Sequence, residues 1–176
     1  MNPITASRTT FPTVRDLPRP LRHLLAAFLI TGMIGFTLGA FFVDHTTGTA
    51  PSGIAERFRG SEGIGVDLEQ MPAEREIQYE KSPSEMLNVT HTHILALSML
   101  FLLTGGIFSL ATGIPPRLKA FLIIEPFVSL IVTFGGMWLV RYHHPGWGYV
   151  IAASGLLMAG CYYVMVCVGV YQLMRR

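Results

Sequence analysis

At 176 residues, 51% hydrophobic and only 14% charged, with a mean hydropathy of +0.46, the chain is too apolar for a soluble domain. Its apolar residues fall in four blocks of roughly 20, the length that crosses about 30 Å of hydrocarbon at 1.5 Å per residue, so little is left over for a soluble catalytic domain. The net charge of +2 offers no argument for nucleic acid as a partner.

The N-terminal tail, 1–23, carries Arg8, Arg15, Arg19 and Arg22 ahead of the first apolar block, 24–43. A secretory signal also begins this way. The block outruns an h-region of about 7–15 residues, however, and no small-x-small cleavage site follows, so it is expected to remain as a membrane span. Residues 44–81 form the one sizeable loop, too polar and too short for a core of its own. Gly48, Pro51, Gly53, Gly60, Gly63 and Gly65 interrupt it, and a short helix around 54–58 is expected within a segment that covers the outer ends of the spans.

Ser82-Pro83-Ser84-Glu85 is a helix start: Ser as N-cap, Pro in the first helical position, and Glu three residues after the cap. The second helix is therefore expected over 82–113, with its apolar block at 94–112 and Pro115-Pro116 as the stop. The third is expected over 116–144 (apolar 120–140) and the fourth over 147–174 (apolar 149–173). Cys161 and Cys167, six apart on one helix, point in different directions and read as small apolar fillers. No internal repeat is evident. The fold class that results is all-α, an integral membrane four-helix bundle forming a single membrane domain.

Orientation follows from Lys and Arg. Arg8, Arg15, Arg19, Arg22, Arg117, Lys119, Arg175 and Arg176 lie at the end with the termini. Arg57, Arg59, Arg75, Lys81 and Arg141 lie at the other, diluted by nine acidic residues between Asp44 and Glu85. Both termini are thus expected in the cytoplasm, where the basic residues meet anionic lipid head groups, with a periplasmic loop between the first two spans.

The spans share many glycines, among them Gly32, Gly35 and Gly39, Gly105 and Gly106, and Gly135 and Gly136. Small residues let membrane helices approach closely, or let a flat cofactor lie against backbone. Five of the six histidines gather at the loop end: His45, His91, His93, His143 and His144, with His23 alone at the other. Imidazole is the common ligand of haem iron, copper and zinc, and histidines from different helices at one depth suit a bundle site.

At about 100° per residue, His91 shares a small and polar stripe with Ser98, Gly105 and Ser109, which predicts that it faces inward and His93 outward. The same arithmetic places Glu125, Ser129, Gly136 and His143 on one face. His144 precedes Pro145 and is biased away from helix. The preferred pair is His91 with His143, holding a b-type haem whose propionates reach Arg141 or Lys81. A copper or zinc site drawn from His45, His91, His93, His143 and His144 with Asp44 is the alternative, and interfacial histidines without any cofactor the third reading. Trp138, Tyr142, Trp147 and Tyr149 supply the aromatic belt expected at that depth.

Glu125 is an ionisable group inside a span, costly in lipid and usually tied to an interior site, a proton path or a partner contact. A structural hydrogen bond near the Pro126 kink and a proton-handling or quinone-contacting role stand side by side, with Tyr171 and His23 as neighbours by depth.

The run Thr49-Ala50-Pro51-Ser52-Gly53-Ile54-Ala55-Glu56-Arg57-Phe58-Arg59-Gly60, then Glu80-Lys81-Ser82 and Thr90-His91-Thr92-His93, resembles a family of small four-helix proteins of the bacterial inner membrane. That resemblance implies the location and carries no activity. Two functions follow as expectations. One is a cytochrome-like redox subunit passing electrons between a membrane partner and a periplasmic carrier. The other is an accessory or assembly subunit of a larger membrane complex with no cofactor. A stand-alone enzyme is disfavoured, because no nucleophile–base pair, phosphate loop or dinucleotide fingerprint is present.

Overall fold

The computed structural model describes residues 12–48, 50–65, 67 and 77–175. Among the described residues there are five α-helices, in chain order α1 (Arg19–Thr47), α2 (Pro51–Arg59), α3 (Pro83–Ser109), α4 (Pro116–Tyr142) and α5 (Trp147–Met174). All but α2 are long and apolar enough to cross a membrane, with mean hydropathies between 1.7 and 2.1 over their best windows. Arg8, Arg75, Arg176, Thr49, Glu69, Glu74 and Glu76, which entered the charge pattern or the family resemblance, lie outside the described residues.

Local chemistry sets the helix starts. Ser82 caps α3, accepting from the Glu85 amide while the Glu85 carboxylate accepts from the Ser82 amide at 2.8 Å, so the expected capping box forms. Prolines at the first helical positions of α2, α3 and α4 occupy sites whose amides have no intrahelical partner in any case. α5 runs from Trp147 to Met174, α2 extends beyond 54–58, and α1 is longer than its apolar block at both ends.

Helix ends use a device that the sequence reading did not foresee, a cation on the terminal carbonyls. Lys119 Nζ donates to Ser109 O at 3.0 Å and to Ala111 O at the end of α3. Arg22 donates to Leu173 O at 2.9 Å and to Arg175 O at the end of α5. Arg59 donates to Val140 O at 3.1 Å at the end of α4. Carbonyls in the last turn have no intrahelical donor, and cations are favoured there by the helix dipole. α3 stops at Ser109 rather than 113 because the next amides fold back, Leu110 onto Ile107 O and Ala111 onto Phe108 O. α4 stops at Tyr142 rather than 144.

The core runs along α5, whose Tyr162, Met165, Val166 and Leu173 are fully buried. Phe36 of α1 lies with its ring centroid 4.4 Å from Tyr162, and Phe101 of α3 sits 5.9 Å from it on another side. α4 and α5 pack closely where Gly136 meets Ile151: a Cβ added there would stand 2.9 Å from that side chain. α1 is peripheral. Only Ala26 and Leu29 on it are buried, while Thr37 Oγ1 and Tyr163 Oη share a 2.8 Å hydrogen bond that ties it to α5. At the end with the termini, Val14 is buried and its amide donates to Leu110 O at 3.2 Å, pinning the segment before α1 against the end of α3.

Candidate functional site

The loop end is built around α2, which lies over the outer ends of α1, α4 and α5 as expected for the loop. Ile54 and Ala55 face the bundle, and Gly148 at the start of α5 admits the Pro51 carbonyl where a Cβ would come within 2.5 Å. Residues 77–81 return alongside α2. Ser61 and Gln78 join by their backbones at 2.9 Å, and the Lys81 amide donates to Phe58 O at 3.0 Å. Gly60 makes the bend between them with φ +81°, a region that favours glycine, and a Cβ there would strike the Glu80 amide at 2.8 Å. Arg141 of α4 closes the cap by donating to Lys81 O at 2.8 Å and pairing with Glu80 at 3.1 Å. Its guanidinium, expected near a haem propionate, is therefore already engaged in this latch.

The histidines stand around the cap rather than beneath it. His45, His91, His93, His143 and His144 are all exposed, and among the described residues no group of three or more His, Cys, Asp or Glu is placed to hold a metal ion. Of the stripe expected to face inward on α3, Gly105 is buried against Ile123 of α4, but His91 and Ser109 are exposed. The inward face of α3 runs through Met86, Thr90, His93, Leu97, Phe101, Thr104 and Phe108, so His91 turns outward while the His93 ring stacks on Phe134 of α4 at 5.4 Å. The reason is local satisfaction. Ser98 donates to Leu95 O and Ser109 to Gly106 O, so these hydroxyls need no interior position and do not mark one.

His93 Nδ1 lies 2.9 Å from Val89 O, which makes it the donor and leaves Nε2 as the acceptor in the neutral ring. Trp138 Nε1 donates to Thr90 Oγ1 at 3.0 Å and adds a second tie between α3 and α4 at this level. His143 is the C-cap of α4, and His144 Nδ1 accepts from the Gly146 amide at 2.9 Å, stapling the turn into α5. His144 thus has a turn-forming task that its place before Pro145 only hinted at.

Within the membrane-spanning region the phase argument for α4 holds: Glu125, Ser129 and Gly136 are all buried on one face, and only His143, where the helix has ended, departs from it. Ser129 Oγ donates to Glu125 Oε1, so the structural partner of the carboxyl lies one turn beyond the Pro126 position. The expected neighbours by depth, Tyr171 and His23, are exposed; the Cys161 thiol of α5 stands beside the carboxyl instead. Glu125 Oε2 is buried and has no hydrogen-bond partner among the described residues. One turn further along α4, Thr133 and Ser154 share a hydrogen bond of 2.7 Å across α4 and α5. Ser129 was legible from its spacing to Glu125, whereas Cys161 and Ser154 depend on how α4 and α5 are set against each other, which no single-helix pattern encodes.

Beside this polar line, α4 and α5 leave a groove of about 710 Å³ bounded by Phe121 and Val132 on one helix and Tyr149 and Leu157 on the other, with Glu125, Ser129 and Ser154 in its wall. A family model for a transmembrane helical domain matches residues 48–176, which takes in α2 to α5 and leaves α1 before it. No curated protein and no solved structure matches the chain.

Proposed function

The chain belongs to the Aq_1264_TM family of transmembrane helical domains, and from that premise we propose that it is an accessory subunit that packs against a larger membrane complex through α1. The observation that carries this reading is Gly35 and Gly39, one turn apart on the exposed side of α1, with nothing within 4 Å of either Cβ position. A glycine inside a helix costs about 0.8–1 kcal/mol relative to alanine in aqueous hosts. No contact among the described residues uses the space that these two create, whereas Gly32 on the same helix accommodates the Tyr162 hydroxyl. A Gly-x-x-x-Gly surface admits another helix at short range, which is how small residues drive association in lipid.

We place the protein in a bacterial inner membrane with both termini in the cytoplasm. Arg15, Arg19, Arg22, Arg117, Lys119 and Arg175 share the end where α1 begins and α5 stops, and the opposite end carries Glu56, Glu62, Asp67, Glu80 and Glu85; the positive-inside bias supports this assignment. Reporter fusions at the C-terminus decide it: activity of a cytoplasmic reporter is expected, and activity of a periplasmic one would reverse it.

The docking reading is tested by native electrophoresis of gently solubilised membranes. The wild-type chain is expected to migrate in an assembly much larger than 19.4 kDa, and Gly35→Leu or Gly39→Leu to release it as a monomer with unchanged helix content. A wild-type monomer, or an assembly indifferent to both leucines, refutes the proposal. The redox-subunit reading, with a b-type haem on His91 and His143 or copper or zinc among the outer histidines and Asp44, ranks second because these side chains are all exposed. A Soret band in purified protein that is lost in both His91→Ala and His143→Ala would promote it.

A further inference from the structure

The groove between α4 and α5 is separate from the α1 face and calls for a different occupant. It follows α4 from Phe121 to Val132, roughly 16 Å at 1.5 Å per residue. Its sides are apolar and open along their length, with Ile124, Val128 and Leu157 about half exposed. In a bilayer this opening faces acyl chains, so whatever enters does so from the lipid.

The polar atoms in its wall are nearly all engaged. Ser129 is committed to Glu125 Oε1. Ser154 donates to Ile151 O at 3.2 Å and accepts from the Thr133 hydroxyl at 2.7 Å, so its one proton is committed within the protein. Glu125, only 7% exposed, is left with Oε2 as the one buried side-chain oxygen of the lining residues that lacks a partner among the described residues; Tyr149 carries its hydroxyl on an exposed side chain. Such an oxygen, kept dry without a hydrogen bond, is costly, and in a binding site it is the group that orients a ligand.

We propose that the α4–α5 groove binds a lipid-soluble quinone or quinol, its ring oxygen hydrogen-bonded to the Glu125 carboxyl and its apolar tail lying along the groove toward the bilayer. One hydrogen-bonding head and a long apolar body match one unpartnered oxygen in an otherwise apolar trough. The volume of about 710 Å³ falls within the range of about 300–1,000 Å³ usual for small-molecule sites. The carboxyl serves either form of the ring, accepting from a quinol hydroxyl when ionised or donating to a quinone carbonyl when protonated. Only binding is proposed; no electron transfer step is assigned.

The test uses the full chain in phospholipid nanodiscs, an azido-substituted short-chain benzoquinone as photoprobe, and the corresponding quinol as competitor. Labelling is expected to saturate, to map to peptides covering 121–132 and 149–157, and to fall when the quinol is added. Glu125→Leu should weaken apparent affinity about tenfold, the worth of one hydrogen bond to a carboxyl group. Ala153→Phe fills the groove about 12 Å along α5 from Cys161, and should abolish labelling while the melting temperature and elution volume stay at their wild-type values. If Glu125→Leu does not fold, Ala153→Phe decides alone. Labelling that rises linearly with probe and spreads over lipid-facing side chains, or that persists undiminished in Ala153→Phe, overturns the proposal. Neither result bears on the assembly state that tests the α1 face.

Discussion

Arg59 reaches the Val140 carbonyl at 3.1 Å from a position 81 residues earlier in the chain, so the last turn of α4 is closed by a side chain of the loop that lies over it. The same residue also donates to Gly63 O, which fixes the end of α2 in the same stroke. Hydrogen bonds from a charged group are worth about 1.5–3 kcal/mol, and partial exposure lowers that. Arg59→Ala is therefore expected to cost about 1–2 kcal/mol, read as a lower unfolding temperature in detergent with faster amide exchange in the final turn of α4. Unchanged exchange there would show that the cap is ornamental.

Arg22 performs the matching task at the other end, holding Leu173 O and Arg175 O from the first turns of α1. Its planar fork meets two carbonyls at once, a geometry that lysine lacks. Arg22→Lys should recover about half of the stability lost in Arg22→Ala, and Arg22→Ala should expose the C-terminus of α5 to limited proteolysis. If lysine and alanine behave alike, the two carbonyls are already satisfied by water at the membrane surface.

The four spans and the start of α3 could be read from the chain because each depends on residues near in sequence: hydropathy over one helix length, and Ser82 with Glu85 across three positions. The face of α4 that carries Glu125 and Ser129 was legible for the same reason. What failed was the inward face of α3, where Ser98 and Ser109 looked like interior markers and are instead satisfied by carbonyls of their own helix. The bulky residues, from Met86 through Phe101 to Phe108, held the true signal, and His93 belongs to that series. The groove stayed invisible because it exists only once Thr133 has met Ser154, and the cation caps because Lys119, Arg22 and Arg59 act on helices other than those their positions suggest.

Asp16 gives the segment before α1 a dependence on pH. Its carboxylate accepts from the Thr13 amide at 2.7 Å and from the Thr13 hydroxyl at 2.9 Å, and these bonds hold its pKa below the ordinary value of 3.8. A carboxyl depressed by folding contributes stability that is present above the unfolded value and is lost as pH falls through the folded one. The neighbouring Val14 amide, bonded to Leu110 O, should then stay protected from exchange at pH 6 and lose protection only as the pH falls below the ordinary value of 3.8 and through the lowered one. Asp16→Asn should show weaker protection with no such transition; a transition that survives in Asp16→Asn would assign it to another group.

Two adjacent tyrosines of α5 should respond in opposite directions to the loss of a hydroxyl. Tyr163 shares its oxygen with Thr37 at 2.8 Å, and polar bonds between membrane helices average about 0.6 kcal/mol, so Tyr163→Phe is expected to destabilise by about that amount and to loosen α1. The Tyr162 hydroxyl is fully buried, lies over Gly32 where an added Cβ would stand 3.1 Å from it, and has no hydrogen-bond partner among the described residues. Tyr162→Phe removes the unsatisfied group and keeps the ring that packs on Phe36 and Phe101, so it should raise stability by about 1 kcal/mol. Paired melting curves in one detergent check both. A loss in Tyr162→Phe equal to that in Tyr163→Phe would mean that this hydroxyl is hydrogen-bonded in the folded protein, with a bound water as the natural candidate in so closed a place.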